Sequence, residues 1–166
     1  PNSTGFLAGR QDLLDAALMH SAIGFEYGPP RTIGRAMKVD RQEIVAVVTA
    51  LREWMAMDHA ARFAMYRVRA ERLQAELATI PHITVTLQGD PVKGVTIQLD
   101  PQRVYKSVAQ IADALKEGNP SIWFHWSLSM YVQEQAPNTM FFSVETIEDG
   151  DEPLIAERLG AVLADA

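Results

Sequence analysis

Residues 33–54 read IGRAMKVDRQEIVAVVTALREW, a compact cationic turn running straight into the start of the longest helical pattern in the chain. Arg35 and Lys38 bracket the apolar pair Ala36 and Met37. Asp40, with Glu43 three residues on, makes a D-x-x-E arrangement. Its leading carboxylate can accept from a free backbone N–H of a first helical turn, so Asp40 is expected as the N-cap. Ile44, Val47, Val48, Leu51, Trp54 and Met55 recur at spacings of three and four, which predicts a helix with one apolar face to bury. A cationic turn tied to a buried helix holds a binding group in place, although Arg and Lys ahead of a helix are also ordinary solvated residues.

Toward the N-terminus, residues 6–8 read as a short apolar strand closed by Gly9, and residues 10–19 as an amphipathic helix with Leu13, Leu14, Ala17 and Leu18 on one side. The strand has no hairpin partner in sight, which hints at missing upstream sequence. Gly28, Pro29 and Pro30 cluster within residues 21–33 and predict an irregular crossing loop. Beyond Trp54 the helical pattern continues through His59, Phe63, Tyr66 and Leu73 to about Ile80, where Pro81 stops it. That exceeds an ordinary helix, so a bend near residues 57–61 is expected, and with it a domain boundary separating residues 1–58 from 59–166.

After Pro81 the period changes to two. Ile83, Val85 and Leu87 alternate with threonines, and Val95, Ile97 and Leu99 repeat the pattern past the Gly89-Asp90-Pro91 turn, predicting an antiparallel pair. Residues 107–117 read as a helix with Val108, Ile111, Ala112 and Leu115 inward, ended by Gly118-Asn119-Pro120. An aromatic-rich stretch at 121–132, an apolar strand at 140–144 and a final helix at about 152–163, burying Leu154, Ile155, Leu159 and Leu163, complete the order β-β-α-β-β-α. This predicts an α+β sandwich with helices on one face of a mainly antiparallel sheet.

The 166 residues suffice for a sizeable core in one domain or two small ones. Fifteen basic against 21 acidic residues, with no cationic stripe, disfavour nucleic-acid binding. The absence of cysteine removes disulfides, thiolate nucleophiles and cysteine zinc sites and permits a reducing compartment. No apolar run approaches the roughly 18 to 20 residues of a membrane span, so a soluble, cytoplasmic protein without a membrane partner is expected.

Among chemical motifs, His20, His59, His82 and His125 are far apart and form no metal-binding helix pair; no metal is expected. There is no phosphate-cradling glycine loop and no G-x-S-x-G nucleophile elbow. His125 between Phe124 and Trp126 reads first as a core or interface histidine, and Trp54, Met55, Met57, Phe63 and Met65 as packing residues. Glu148, Asp149, Asp151 and Glu152 resemble an oxygen-rich cation site but, just ahead of a helix, read better as solvated charges complementing its dipole.

Two blocks carry a family resemblance. The run Pro1-Asn2-Ser3-Thr4-Gly5-Phe6-Leu7-Ala8-Gly9-Arg10-Gln11-Asp12-Leu13, followed by Ile33-Gly34-Arg35-Ala36-Met37-Lys38-Val39-Asp40, resembles the selenocysteine synthase-like branch of the fold-type I pyridoxal-phosphate enzymes. In that family G-P-[QN]-x-[STA]-G-x-[LI]-x-G-[RK]-x-[DE]-L is followed by R-[AP]-[LM]-[RK]-[VI]-x-[KR]-x-E. The likeness extends more loosely through residues 117–120 and the last helix. It implies an α/β fold-type I transferase, of which this chain is the end of the large domain plus the α+β small C-terminal domain.

The resemblance further implies pyridoxal 5'-phosphate as cofactor and a Schiff-base lysine upstream of Pro1; Lys38, Lys93, Lys106 and Lys116 stand in other contexts. It assigns Arg35 and Lys38 to the anionic part of the substrate, and Asn2, Ser3 and Thr4 to a cofactor phosphate, that of a neighbouring subunit included. It also implies a homo-oligomer. One branch of the family transfers selenium to seryl-tRNA; the other resembles ammonia-lyases and related eliminating enzymes acting on small amino acids. Lys38 and Met37, with the net charge of −6, lean towards a lyase on a small anionic amino acid. Selenium transfer, racemisation and aldol cleavage share the same early chemistry and stay open. So does a non-catalytic α+β interaction domain presenting Trp123, Phe124, Trp126 and Tyr131.

Overall fold

A computed structural model describes residues 4–27, 34–36, 38–124 and 138–164. The chain divides into two compact units, Pro1–Met57 and Asp58–Ala166.

In the first unit, helix α1 (Gln11–Met19) leads through a tight turn to the short helix α2 (Ala22–Tyr27), then a 3-10 turn (Gly34–Ala36) and helix α3 (Arg41–Ala56). Residues 4–10 form no strand. A strand exists only where a neighbouring edge takes up its N–H and C=O groups, and the described residues of this unit supply none. Phe6 and Leu7 accordingly lie open, 62% and 74% exposed. The expected irregular stretch contains α2, a helix started by Ser21, whose hydroxyl accepts from the Gly24 N–H at 3.3 Å. Asp40 occupies the N-cap position of α3, and its carbonyl accepts from the Ile44 N–H, but its side chain makes no capping hydrogen bond. The apolar face of α3 is also not buried as expected: Ile44, Val48, Trp54 and Met55 are all exposed, and the helix has no buried residue. Spacing gives a helix an apolar stripe; only a second surface buries it.

In the second unit, Asp58 ends the helical pattern of α3 and starts α4 (His59–Leu77), its carboxylate accepting from the Ala61 N–H at 2.9 Å. Strands β1 (Ile83–Gln88), β2 (Gly94–Leu99) and β3 (Thr139–Ser143) form an antiparallel sheet in the order β1-β2-β3. Val85 pairs with Ile97, and Ile97 with Met140, so the apolar residues of all three strands share one face. Against that face lie Leu73 and Leu77 of α4, Ile111 and Leu115 of α5 (Val108–Lys116), and Leu159 of α6 (Asp151–Ala164). Ser107 and Gln110 close a reciprocal capping box at the start of α5. At Gly94 a β-carbon would run into the carbonyl oxygen of Phe142, which is why the β2–β3 pairing requires glycine there.

Two details differ from expectation. Leu154 is exposed on α6, and Ala156 and Val162 take inward positions instead. Glu152 is not solvated: it is 3% exposed, and its carboxylate accepts from the Gly150 N–H at 3.0 Å. Asp149 pairs with Arg69 at 3.0 Å, and Asp151 accepts from the Glu148 N–H. Asp149, Asp151 and one oxygen of Glu152 are thus engaged around the entry to α6, and no group of three or more possible metal ligands occurs among the described residues. Nor is any helix among them long and apolar enough to cross a membrane.

Candidate functional site

The sharp turn between α1 and α2 organises the first unit. Ser21 donates through its hydroxyl to the Leu18 carbonyl at 2.6 Å, and its backbone carbonyl accepts from the Phe25 N–H, so α2 is anchored as it starts. Gly34 is buried against this turn: a β-carbon there would collide with the His20 carbonyl and the Ser21 backbone. Only glycine lets the 3-10 turn approach so closely, and that approach brings the Arg35 turn onto α2.

Three charged side chains meet as a result. The Arg35 guanidinium carbon lies 5.0 Å from the centre of the Phe25 ring, a cation–π contact that consumes none of its N–H donors. Lys38 Nζ donates to Glu26 Oε1 at 2.8 Å, with side chains 63% and 45% exposed. The Glu26 carboxyl is held below the usual glutamate range, first by this hydrogen bond and then by the Lys38 charge; slight burial opposes the shift and the Arg35 charge adds to it. One carboxylate thus feels both cations. Among the described residues Arg35 has no carboxylate partner.

Glu26 and Lys38 stand at the edge of a cleft of about 480 Å³, which Thr4 and Ser21 also line, with Val39, Ile44 and Val47 as apolar wall. The volume is that of a small-molecule site. Of the residues assigned to substrate, Arg35 is exposed and has no carboxylate partner among the described residues, while Lys38 is already neutralised. Of those assigned to the cofactor, Thr4 lies in the cleft, and Asn2 and Ser3 fall outside the described residues. Glu26, Phe25 and Ser21 were not anticipated. Ser21 carried a signal, a capping serine ahead of Ala22, Ile23 and Phe25, but nothing in sequence links Glu26 to a lysine twelve positions on.

No family model matches the chain. It is 29% identical over 168 aligned positions to the 5'-C-glycyluridine monooxygenase-decarboxylase of a Streptomyces species. That relative is an enzyme. The match takes in 98% of this chain but spans only 38% of the relative's length.

The aromatic stretch is described only in part. Trp123 is 72% exposed with Lys116 Nζ 4.6 Å from its ring centre, whereas Phe124 turns inward to stack on Phe142 at 4.9 Å. Trp126, Tyr131 and His125 lie outside the described residues.

Proposed function

We propose that this chain is the C-terminal part of a pyridoxal-phosphate enzyme of the selenocysteine synthase-like type, acting as a lyase on a small anionic amino acid. The observation that carries this reading is the exposed Arg35 guanidinium, without a carboxylate partner among the described residues, whose charge reaches Glu26, the partner of Lys38 in the lining of a partly apolar cleft. A planar guanidinium can hold a carboxylate by two parallel hydrogen bonds, and an ammonium adds a point charge beside it. Phe25 keeps the guanidinium in place, and Gly34 keeps the turn against α2.

The donors present suit an anion rather than an aromatic ring: a guanidinium, an ammonium and the Thr4 hydroxyl. They fit the substrate's charged group and, at Thr4, a phosphate edge. When bound, pyridoxal phosphate would supply an electron sink for the pair left at Cα, which serves elimination and decarboxylation alike. The relative's name favours a second reading within the same scheme, loss of the carboxylate of a glycyl-type amino acid. The exposed apolar residues of α1 and α3 fit a chain whose first unit is covered by a larger body, as the end of a large domain in a homo-oligomer would be.

The test is the visible absorbance of the complete purified protein. A band that borohydride abolishes supports the cofactor assignment. A colourless protein that gains no such band on addition of pyridoxal phosphate overturns it.

A further inference from the structure

We propose that Glu26 is an internal stand-in for the ligand's anionic group: its carboxylate occupies Lys38 in the empty cleft and is displaced when an external carboxylate or phosphate binds between Lys38 and Arg35. The inference rests on the reading of this cleft as an anion site and adds a residue to which that reading gives no role.

Lys38 is 63% exposed and could point into solvent, yet it is drawn onto a carboxylate contributed by α2, 2.8 Å away. That carboxylate is held ionised by the same two cations that would receive a ligand. Glu26 also lines the cleft itself, so its side chain fills space that a ligand's anion would need. Its own chemistry shows what Lys38 accepts there, a carboxylate oxygen at hydrogen-bond distance. A bound anion gains Arg35, which Glu26 leaves without a direct bond, and the bidentate geometry favours the ligand over the internal group. Exchange then occurs without leaving Lys38 unpaired, and water-exposed Glu26 swings out at little cost. Glu26 thereby becomes a determinant of specificity.

The experiment reads Lys38 directly in the complete protein. Inorganic phosphate is titrated while Lys38 is labelled by an amine-acylating reagent, and protection is followed by peptide mass spectrometry. In Glu26→Gln the phosphate concentration for half-protection falls about two- to five-fold, the scale of one exposed ion pair, and in Arg35→Ala it rises. An unchanged or higher midpoint in Glu26→Gln, with Arg35→Ala still raising it, overturns the stand-in role and leaves the anion site in place. Absence of phosphate protection in every variant, the native protein included, overturns both.

Discussion

Arg35 and Lys38 share a turn but not a circumstance. Because Lys38 is paired and Arg35 has no carboxylate partner among the described residues, the two substitutions have different consequences. Arg35→Ala is expected to raise the apparent KM for an anionic amino-acid substrate about ten- to hundred-fold, the weight of hydrogen bonds to a charged group. Lys38→Met has the smaller effect, since the ammonium is already shared with Glu26 and a ligand gains less from it; steady-state kinetics of the complete enzyme separates the two. The pH dependence follows from Glu26. Its carboxyl titrates below the ordinary value of about 4.3, so the pair contributes fully above that value. The contribution is lost only as pH falls through the lowered folded value. Carboxylate NMR of Glu26 checks this: a midpoint at or above the ordinary value contradicts it. Arg35 and Lys38 were legible because they stand three positions apart ahead of a helix. Glu26 was not, because its role comes from a chain reversal that no local pattern encodes.

At the scale of elements, caps decided where helices begin. The side-chain oxygens of Asp58 and Ser107 each accept from a first-turn N–H, and Asp58→Ala or Ser107→Ala is expected to destabilise the second unit by about 1 kcal/mol in urea melts. Asp40, which accepts no such bond, is expected to tolerate alanine with a change well below that. Gly34→Ala places a methyl against the His20 carbonyl and forces the 3-10 turn off α2. It therefore weakens phosphate protection of Lys38 while leaving the melting of the second unit unchanged. Alternation at residues 83–87 and 95–99 gave both strands and their pairing, since period two needs only a half-buried sheet to be realised. The strand expected at residues 6–8 failed for want of a partner edge, and α2 was hidden because the Gly-Pro breakers after it dominated a six-residue helix.

For the whole molecule, the asymmetry between the units is the main fact. Every residue of the buried apolar core belongs to the second unit, from Ala70 to Val162. The first has Leu13, Ile23, Ile44, Val45, Trp54 and Met55 exposed. Residues 58–166 are expected to fold alone with a single cooperative transition, and Leu73→Ala to cost that fragment about 2–5 kcal/mol. Residues 1–57 alone are expected to show no cooperative transition by circular dichroism, since so short a chain, with no buried large apolar side chain among its described residues, cannot offset its conformational entropy.

Sequence by itself determined the helical stretches other than α2, the break between α3 and α4, the β1–β2 pairing and the cationic turn, because each follows from periodicity, capping chemistry or charge within a short window. Tertiary structure alone decided which apolar faces are covered, that Glu152 is buried and Leu154 is not, and that Glu26 reaches Lys38. Burial and ion pairing depend on which surfaces meet, and that is a property of distant segments brought together, which no local pattern of residues contains.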